Sequence, residues 1–445
     1  MAIEICTVGG YNEVGKNMTA IRVDDEVVII DMGLHLDPYI KYTDDDDLNK
    51  EITASILTKI GAIPDLEPIK SWKKNVVAIV PTHAHLDHVG AIPYMSNKFT
   101  ADIICTPFTA EVIKAICKDE KIKLDNDIRV LNPNSVIKVS DNIKIEFINV
   151  THSTPQTVMV LVHTPYGKVL YGNDFKFDDH PVIGKKPNYD RLKKLGKEDV
   201  VCLVVDGTRS SEARKTPSES VAKEMLRDVM LSCDSRGKAV IVTTFSSHLA
   251  RLHSIIDFGK KLNRKVILLG RSLGKYVQAG EDIGIVNFSK EAYIARYRKQ
   301  VDKKLKEIAK DPAKYLVVCT GHQGEPKAVL SRIAEGTTPL KLWKEDHVIF
   351  SCTVIPTPLN HANRAVLESK LKKNNVRIFK DIHVSGHAAK EDLRDLINMV
   401  KPQHIIPAHG DITMATALSE LAMEMDYRVG EDLHIMQNGQ KLVIE

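Results

Sequence analysis

The chain lacks long apolar runs. None of its 445 residues lies in an apolar stretch approaching the roughly 20 residues that a helix needs to cross a bilayer. The first residues also lack the basic stretch and long apolar region of a signal peptide. We therefore expect no membrane association and a cytoplasmic location. No internal repeat, low-complexity segment or flexible interdomain linker is seen either.

Cysteine is scarce and follows no pattern. The seven cysteines form no CxxC pair, their number is odd, and several lie inside apolar runs. This usage predicts reduced, buried thiols in a cytosolic protein and argues against a disulfide framework.

A strong excess of charge of one sign is missing as well. The formal net charge is only +4, which does not require a nucleic-acid partner. With 43% hydrophobic and 27% charged residues, the composition is that of an ordinary globular protein, long enough for two or more domains. Residues 290–314 nevertheless hold nine Lys or Arg against four Asp or Glu. A solvated helix face and a nucleic-acid-binding surface explain this segment equally well.

A phosphate-binding P-loop is also absent, although residues 10–17 come close to one. Asn17 stands where Ser or Thr should follow Lys16. The residues after it read as a strand, whereas a P-loop needs a helix N-terminus to receive phosphate. We therefore expect no nucleoside triphosphate at this loop.

Short apolar runs predict many strands. In the first third of the chain these are 3–8, 18–23, 27–31, 76–81, 143–150, 158–164 and 168–173. From about residue 200, short strands alternate with helices in a pattern typical of a parallel sheet. The strands are 200–205, 239–243, 266–269, 316–319 and 348–350, and the helices are 216–232, 247–262, 290–310, 326–335 and 362–373. Residues 35–75 are expected to form a long irregular connection, with an acidic loop at 44–47.

Four candidate ligands follow the apolar run 76–80 within six residues. They are His83, His85, Asp87 and His88. Imidazole and carboxylate are zinc ligands, and a compact turn can direct several of them to one point. Four such groups without cysteine are too many for one closed structural site. The motif therefore favours an open or two-metal catalytic site.

The same residue types follow other predicted strands. Asp31 follows 27–30, His152 follows 143–150 and Asp174 follows 168–171. Each alone is read more simply as structural, Asp31 as a turn stabiliser, but the series is hard to attribute to chance. Beside the histidine motif, Asp31 could orient a ligand imidazole from outside the metal shell. His387 and His409 are expected at one edge of a β-α-β unit, where binding groups collect.

The ordered set of Asp31, residues 83–88, His152 and Asp174 resembles the metallo-β-lactamase superfamily. The later Asp206, His387 and His409 are similar to the β-CASP branch, whose members process nucleic acids. Segments 9–17, 321–326, 383–387 and 407–410 resemble the ribonuclease J family, and the resemblance covers essentially the whole chain.

The resemblance implies an α/β fold with two parts. A metallo-β-lactamase αββα sandwich is expected at 1–207 and 370–445, with an inserted β-CASP domain at 208–369. The chain ends about 35 residues after Gly410, which suggests the short archaeal-type form. Two residues depart from the family. Gln156 replaces a usual Asp, which leaves any role there in doubt, and Asn173 replaces a Gly, where we expect a change of backbone only.

The resemblance also implies roles for the site residues. His83, His85 and His152 would hold one Zn²⁺, Asp87, His88 and His409 a second, and Asp174 would bridge the two; Mn²⁺ is the alternative metal. His387 would hydrogen-bond the scissile phosphate or protonate the leaving oxygen, and His383 would assist in binding that phosphate. Asp206 and Asp31 would orient ligand histidines. Ser246, Ser247 and Arg251 would bind a 5′-phosphate, although a plain helix N-cap by either serine explains that segment as well.

The implied function is a zinc-dependent ribonuclease. It would degrade single-stranded RNA from the 5′ end, prefer a 5′-monophosphate and release mononucleotides, with endonucleolytic cleavage as an additional activity. A homodimer is expected by resemblance alone. The nearest alternative is an RNA or DNA endonuclease of the same superfamily. A hydrolase of small thioesters or lactams and an inactive scaffold of an RNA-processing complex are the more distant ones.

Overall fold

The computed structural model describes residues 2–44 and 52–444, and strands account for much of this part of the chain. Most of the expected acidic loop at 44–47 lies outside it. The strands are β1 (Ile3–Gly9), β2 (Met18–Val23), β3 (Glu26–Ile30), β4 (Val76–Val80), β5 (Asp102–Cys105), β6 (Ile128–Val130), β7 (Val136–Lys138), β8 (Lys144–Asn149), β9 (Val158–Thr164), β10 (Gly167–Gly172), β11 (Val200–Asp206), β12 (Val240–Thr243), β13 (Lys265–Leu269), β14 (Ala292–Ala295), β15 (Tyr315–Cys319), β16 (His347–Phe350), β17 (Arg377–Phe379), β18 (His404–Ala408) and β19 (Gln440–Ile444).

Helices connect most of the parallel strands. They are α1 (Leu36–Asp44), α2 (Ala54–Lys59), α3 (Leu86–Val89), α4 (Ile92–Met95), α5 (Pro107–Glu120), α6 (Tyr189–Leu195), α7 (Glu219–Arg227), α8 (Leu249–Lys261), α9 (Arg271–Asp282), α10 (Arg298–Ile308), α11 (Val329–Ala334), α12 (Pro358–Lys373), α13 (Lys390–Val400) and α14 (Ile412–Met423). No helix among the described residues combines the length and the apolar character that a membrane span requires.

The chain forms two compact units. The first comprises Met1–Asp179, Lys185–Thr216 and Ser385–Glu445, and the second comprises His180–Gly184 and Pro217–Val384. These bounds differ from the predicted 207/208 and 369/370. At the second boundary the reason is strand pairing, because β17 runs parallel to β16 and so belongs to the sheet of the second unit.

The first unit contains two mixed sheets. One has the order β19-β1-β2-β3-β4-β5-β6 and the other β18-β11-β10-β9-β8-β7. Inward-facing side chains of both sheets, such as Ile21, Val28, Phe147 and Val160, form one apolar cluster. The outer face of the second sheet packs with residues of α13 and α14 in another cluster. This arrangement explains why these strands are apolar on both sides, since each face is covered.

The second unit is built on one parallel sheet of order β14-β13-β15-β12-β16-β17. Its strands are short and apolar, and one face packs with α10, α11 and α12 in a single cluster. The alternation of strand and helix after residue 200 therefore predicts this unit well. Its strand order, however, follows from crossover connections that periodicity does not reveal.

Two predicted stretches are wrong. Residues 35–75 are not irregular, because α1, α2 and a 3₁₀ segment at Glu67–Asn75 occupy most of the described part. Residues 290–310 are not one helix, because Ala292–Ala295 form the edge strand β14 before α10 begins. In both places the segments with a helical pattern are short, so tertiary packing and not the local pattern decides their structure.

Candidate metal centre

The turn after β4 places its side chains at the end of a buried strand. β4 lies beside β3 in parallel, and the segment after β3 packs on the turn, since Met32 N donates to His88 O at 2.7 Å. Gly33 makes this approach close: a Cβ there would lie 1.6 Å from the carbonyl oxygen of Asp87. Only glycine fits at this position, so the turn is held by backbone contacts on a rigid sheet edge.

Three imidazoles and one carboxylate oxygen converge in a first cluster. His85 Nδ1 lies 3.1 Å from His83 Nε2 and 3.1 Å from His152 Nε2. Asp174 Oδ2 lies 3.4 Å from His83 Nε2 and 3.5 Å from His152 Nε2. The outer nitrogens are already engaged, because His83 Nδ1 contacts Thr82 Oγ1 at 3.0 Å and His152 Nδ1 donates to Gly386 O at 2.8 Å. The nitrogens that face inward therefore present lone pairs.

A second cluster lies on the other side of Asp174. Asp174 Oδ1 lies 3.3 Å from His88 Nε2 and 3.6 Å from His409 Nε2. Asp87 Oδ2 completes the group at 3.8 Å from His88 Nε2 and 3.7 Å from His409 Nε2. Asp174 thus directs one carboxylate oxygen to each cluster, and both sets satisfy the proximity that a metal ion requires.

Backbone strain accompanies this arrangement. Asp31, Asp174 and His409 have φ values of +61°, +53° and +54°, in the left-handed region that non-glycine residues seldom adopt. Each follows a strand of the first unit within two residues. Such conformations persist where surrounding structure imposes them, and they concentrate at functional sites.

Burial and charge set the protonation of the clusters. Burial, reinforced by neighbouring imidazoles, holds the pKa of His83, His85 and His152 well below the usual value. Burial also acts to lower the pKa of His88, but the carboxylates of Asp174, Asp31 and Asp87 outweigh it and raise that pKa. The first cluster is therefore a set of neutral imidazoles with facing lone pairs.

A cation fits these groups. His85 Nδ1, at 3.1 Å from the other two ring nitrogens, can donate a proton to only one of them, whereas a metal ion between the three would bind all their lone pairs. Asp174 is only 1% exposed, and its Oδ1 has no hydrogen-bond partner among the described residues. An anionic oxygen without a partner is costly to bury, and a metal ion would supply the missing interaction.

Residues around the clusters orient the imidazoles, and Asp31 lies where His88 needs an acceptor. Its Oδ2 is 2.7 Å from His88 Nδ1, and Oδ1 accepts from Thr82 N at 2.8 Å. A carboxylate on one imidazole nitrogen fixes the tautomer and turns the other nitrogen towards the metal.

Asn17 and Asn173 are the site residues that the sequence reasoning missed. Asn17 Oδ1 lies 2.9 Å from His409 Nδ1, and its Nδ2 donates to Asp87 O at 3.1 Å. Asn173 is fully buried and its Nδ2 donates to Tyr171 Oη at 3.0 Å and to Asn17 Oδ1 at 3.3 Å. The expectation of a backbone change alone at Asn173 is therefore wrong. Asn17 was visible only as a departure from the P-loop pattern.

Asp206 has a different histidine partner from the one expected. Asp206 Oδ2 lies 2.7 Å from His387 Nδ1, so Asp206 orients His387 and not one of the predicted ligand histidines. The His387 ring lies 5.0 Å from that of His152, and its side chain is 26% exposed. Burial lowers the pKa of His387, but the Asp206 and Asp174 carboxylates outweigh it and raise the pKa to about 9. Gln156, the other departure, accepts from Phe108 N at 2.8 Å and so caps the start of α5.

The structure contradicts one residue of the expected phosphate pocket in the second unit and leaves the other two a prediction. Arg251 is wrong as a substrate-binding residue, because it is fully buried and occupied. Its Nε and Nη2 donate to Glu219 at 2.6 and 2.9 Å, and its Nη1 donates to Ser351 O at 2.9 Å. The N-cap of α8 is His248 and neither serine. Ser246 is partly exposed and Ser247 is 6% exposed.

His383 lies in the same unit beside this segment. Its Nδ1 is 3.4 Å from Arg251 Nη1, and its ring centroid is 5.9 Å from that of Phe245. Arg251 therefore contacts His383 and has a structural role in this segment.

Family models match three successive parts of the chain. Residues 55–229 match the Beta-lactamase superfamily domain, and residues 237–368 match "Ribonuclease J, beta-CASP domain". Residues 375–430 match the Zn-dependent metallo-hydrolase RNA specificity domain. These matches confirm the predicted fold class, a metallo-β-lactamase-type α/β fold with a β-CASP domain.

Two curated archaeal relatives match over nearly their whole length. The chain is 46% identical to Ribonuclease J of Methanocaldococcus jannaschii, covering 100% of this chain and 99% of that protein. It is 44% identical to Ribonuclease J of Pyrococcus abyssi, covering 99% and 97%. A solved structure of a protein of unknown function from Enterococcus faecalis V583 has a TM-score of 0.66 at 18% identity over 100% of both chains, a likeness of fold alone. The chain belongs to the ribonuclease J family.

Proposed function

We propose that this protein is a zinc-dependent ribonuclease that degrades single-stranded RNA from the 5′ end and releases mononucleotides. The observation that carries the proposal is Asp174, whose two oxygens face two separate clusters of histidines. The names of the relatives, Ribonuclease J, and the RNA specificity domain at 375–430 support RNA as the substrate. A homodimer in the cytoplasm belongs to the proposal by family resemblance.

The residues of the two clusters would hold two metal ions. One ion would bind His83, His85 and His152, and the other would bind Asp87, His88 and His409, with Asp174 between them. Nitrogen and carboxylate donors without sulfur suit zinc, and Mn²⁺ is the alternative. Bound ions of this kind lower the pKa of coordinated water and withdraw charge from phosphoryl oxygens.

The protein's own groups prepare the reaction. The hydrogen bonds from His152 to Gly386 and from His88 to Asp31 fix which ring nitrogen faces the centre. Asp206 accepts from Nδ1 of His387, which leaves the other ring nitrogen to donate to a phosphate oxygen or to the leaving 3′-oxygen. Because Asp206 is fully buried, this orientation is rigid.

Recognition of the 5′ end is proposed for Ser246 and Ser247, whereas His383 is proposed to assist in binding the scissile phosphate. The serines lie between β12 and α8, where hydroxyl and backbone N–H groups can bind a terminal phosphate. Arg251 is excluded from this role because its guanidinium is bonded to Glu219 and Ser351. A preference for a terminal phosphate would direct hydrolysis to the 5′ end of the RNA.

Product analysis tests the proposal. Purified, zinc-loaded protein is incubated with internally labelled single-stranded RNA bearing a 5′-monophosphate or a 5′-hydroxyl, and with DNA of the same sequence. We expect mononucleotides from the 5′-monophosphate RNA, at a rate well above that of the other two. Internal fragments would instead indicate the endonuclease, and cleavage of DNA would reject the RNA assignment.

Two variants test whether the RNA hydrolysis depends on the first cluster and whether the 5′-end preference depends on Ser247. His85→Ala removes a ligand of the first cluster and should abolish hydrolysis and lower the bound zinc. Ser247→Ala should reduce the preference for 5′-monophosphate several-fold, whereas Ser254→Ala, which removes a hydroxyl bonded within α8, should leave it unchanged. Equal preference in both serine variants would reject the phosphate pocket.

A further inference from the structure

The basic segment at 290–314 has no role in the function proposed above. Its nine Lys or Arg against four Asp or Glu give a balance of +5, whereas the whole chain has +4. The rest of the protein is therefore slightly negative. A positive charge concentrated in 25 of 445 residues is a local feature of the second unit and not a general property of the surface.

α10 sorts these residues onto two faces. Val301, Leu305 and Ile308 are buried in the core cluster of the second unit. Lys299, Lys303 and Lys306 are exposed, at spacings of four and three residues, which places them on one side of the helix opposite the core. Lys310, just after the helix ends, is also exposed. We name Lys299, Lys303, Lys306 and Lys310 the lysine stripe.

The acidic residues of the segment do not neutralise the lysine stripe. Asp302 pairs with Arg332 at 2.8 Å and with Arg298 at 3.9 Å. Glu307 pairs with Lys304 at 2.6 Å, and Asp311 pairs with Lys314 at 2.9 Å. Among the described residues, none of the ion pairs involves a lysine of the stripe. Like charges three and four residues apart destabilise a helix, and an anion bound along the stripe would remove this repulsion.

Two exposed aromatic rings lie in the same segment. Tyr297, directly before α10, is 60% exposed, and Tyr293, on the edge strand β14, is 48% exposed. Lys304 Nζ lies 4.0 Å from the centre of the Tyr293 ring. Exposed rings next to a row of cations match single-stranded nucleic acid, whose unpaired bases stack on aromatic side chains while its phosphates attract lysine.

We propose that the lysine stripe, with Tyr297, is a second RNA-binding surface for single-stranded substrate, formed by residues of the second unit alone. The inference rests on the proposed function in one respect, namely that the bound polyanion is RNA. An acidic protein could also pair with the lysines, but it has no unpaired bases to stack on the exposed tyrosines. The surface would increase affinity for long substrates and leave the cleavage of very short ones unchanged.

Removing the charge of three lysines of the stripe tests this surface. The variant Lys299→Gln/Lys303→Gln/Lys306→Gln changes exposed side chains only, so the fold should be preserved. Binding of a hydrolysis-resistant 30-nucleotide phosphorothioate RNA is measured on the zinc-loaded protein across a range of salt concentrations. We expect affinity about tenfold lower and a salt dependence less steep by about 2, since each phosphate neutralised by a lysine contributes about 0.7. Cleavage of a pentanucleotide should stay within about twofold of the original.

A matched variant provides the control. Lys70→Gln/Lys73→Gln/Lys74→Gln makes the same charge change in exposed lysines of the 3₁₀ segment of the first unit and should leave the salt dependence unchanged. The single variant Lys303→Gln should give about a third of the effect of the triple variant. Tyr297→Ala should weaken binding of single-stranded but not of double-stranded RNA.

The outcomes separate the two proposals. Equal affinity and equal salt dependence in the stripe and control variants would overturn the surface, and this includes the case in which the stripe serves an acidic protein. If the original protein binds long RNA through the stripe but does not hydrolyse it, the proposed function fails and the surface stands. If it hydrolyses RNA while the stripe variant binds long RNA normally, only the surface fails.

Discussion

At the scale of single residues, the centre depends on how each imidazole is held. Asp31 bonds to His88, Gly386 O to His152, and Asn17 to His409, each through the ring nitrogen that faces away from the clusters. Such outer bonds select the tautomer in which the inner nitrogen carries a lone pair. We therefore expect Asn17 to contribute to the affinity for metal without being a ligand.

Removing the Asn17 amide should weaken metal binding. In Asn17→Ala, His409 loses its acceptor at Nδ1 and the turn at Asp87 loses a donor, so we expect metal affinity about 10–100-fold lower. The measurement is competition with a chromogenic chelator, which reads affinity independently of catalysis. Asn17→Asp keeps an acceptor for His409 and should recover part of the loss.

A partly buried amide elsewhere serves as the control. Asn126 donates to three backbone carbonyls, those of Ser96, Phe99 and Ala101, and has no contact with the clusters. Asn126→Ala should lower stability but not metal affinity. If both alanine variants bind zinc equally well, Asn17 has only a structural role.

At the scale of elements, the ends of strands and helices decide which groups can act. Arg251 illustrates this, because its place at the start of α8 suggested phosphate binding. The fold instead turns the side chain inwards, where it joins α8 to Glu219 of α7 and to Ser351 after β16. If Arg251 turned to bind a substrate phosphate, the Glu219 carboxylate would remain buried without its ion-pair partner, which is energetically costly.

Breaking this pair should destabilise the second unit. Arg251→Met leaves the Glu219 carboxylate buried without its main partner, so we expect a loss of about 3–5 kcal/mol in the free energy of unfolding. Denaturant titration measures it, and Arg251→Met/Glu219→Met should recover most of the loss. Unchanged stability together with lost preference for 5′-monophosphate would restore Arg251 as a substrate-binding residue.

A second buried network links β8, β9 and α6 in the first unit. Glu146 accepts from Arg191 at 2.6 Å and lies 2.8 Å from His163 Nε2. Burial alone would raise the pKa of Glu146, but these hydrogen bonds outweigh it and lower the pKa to about 2. The ionised carboxylate therefore stabilises the fold.

The stabilisation by Glu146 should depend on pH. A carboxyl whose pKa is lowered on folding contributes fully above its unfolded pKa, and the contribution declines as pH falls towards the folded pKa. Relative to Glu146→Gln, the original protein should be more stable by about 2–3 kcal/mol at pH 7, and the difference should shrink from pH 5 downwards. Denaturant titrations at pH 7 and pH 3.5 check this. A difference that does not change with pH would contradict the assigned ionisation.

At the scale of the whole molecule, each compact unit has its own core, and all residues of the two metal clusters belong to the first unit. Metal binding should therefore stabilise one unit and not the other. A ligand that binds only the folded state at 1,000 times its Kd adds about 4 kcal/mol.

Removal of the metal should shift one thermal transition. The chain has two tryptophans, buried Trp72 in the first unit and exposed Trp343 in the second. In Trp343→Phe, fluorescence reports the first unit alone, and a chelator should lower its unfolding temperature by several degrees. The same variant with His85→Ala should not respond to the chelator. An equal shift of every calorimetric transition would show that the two units unfold together.

The sequence by itself determined most of the strands, the order of the motifs and the identity of the candidate ligands. These are local properties: apolar runs give strands, and His or Asp after a strand lies at a sheet edge in any fold of this class. The parallel sheet after residue 200 and the metal site at 83–88 could be predicted because both depend on local sequence patterns.

The tertiary structure alone decided which partner each group has. Asp206 bonds to His387, Arg251 faces inwards, and Asn17 and Asn173 join the centre through contacts between residues far apart in the chain. The paired roles of Asp174 also follow from distances between strands that are not neighbours in sequence. Hydrogen bonds and burial depend on separation in space, which periodicity along a chain does not encode.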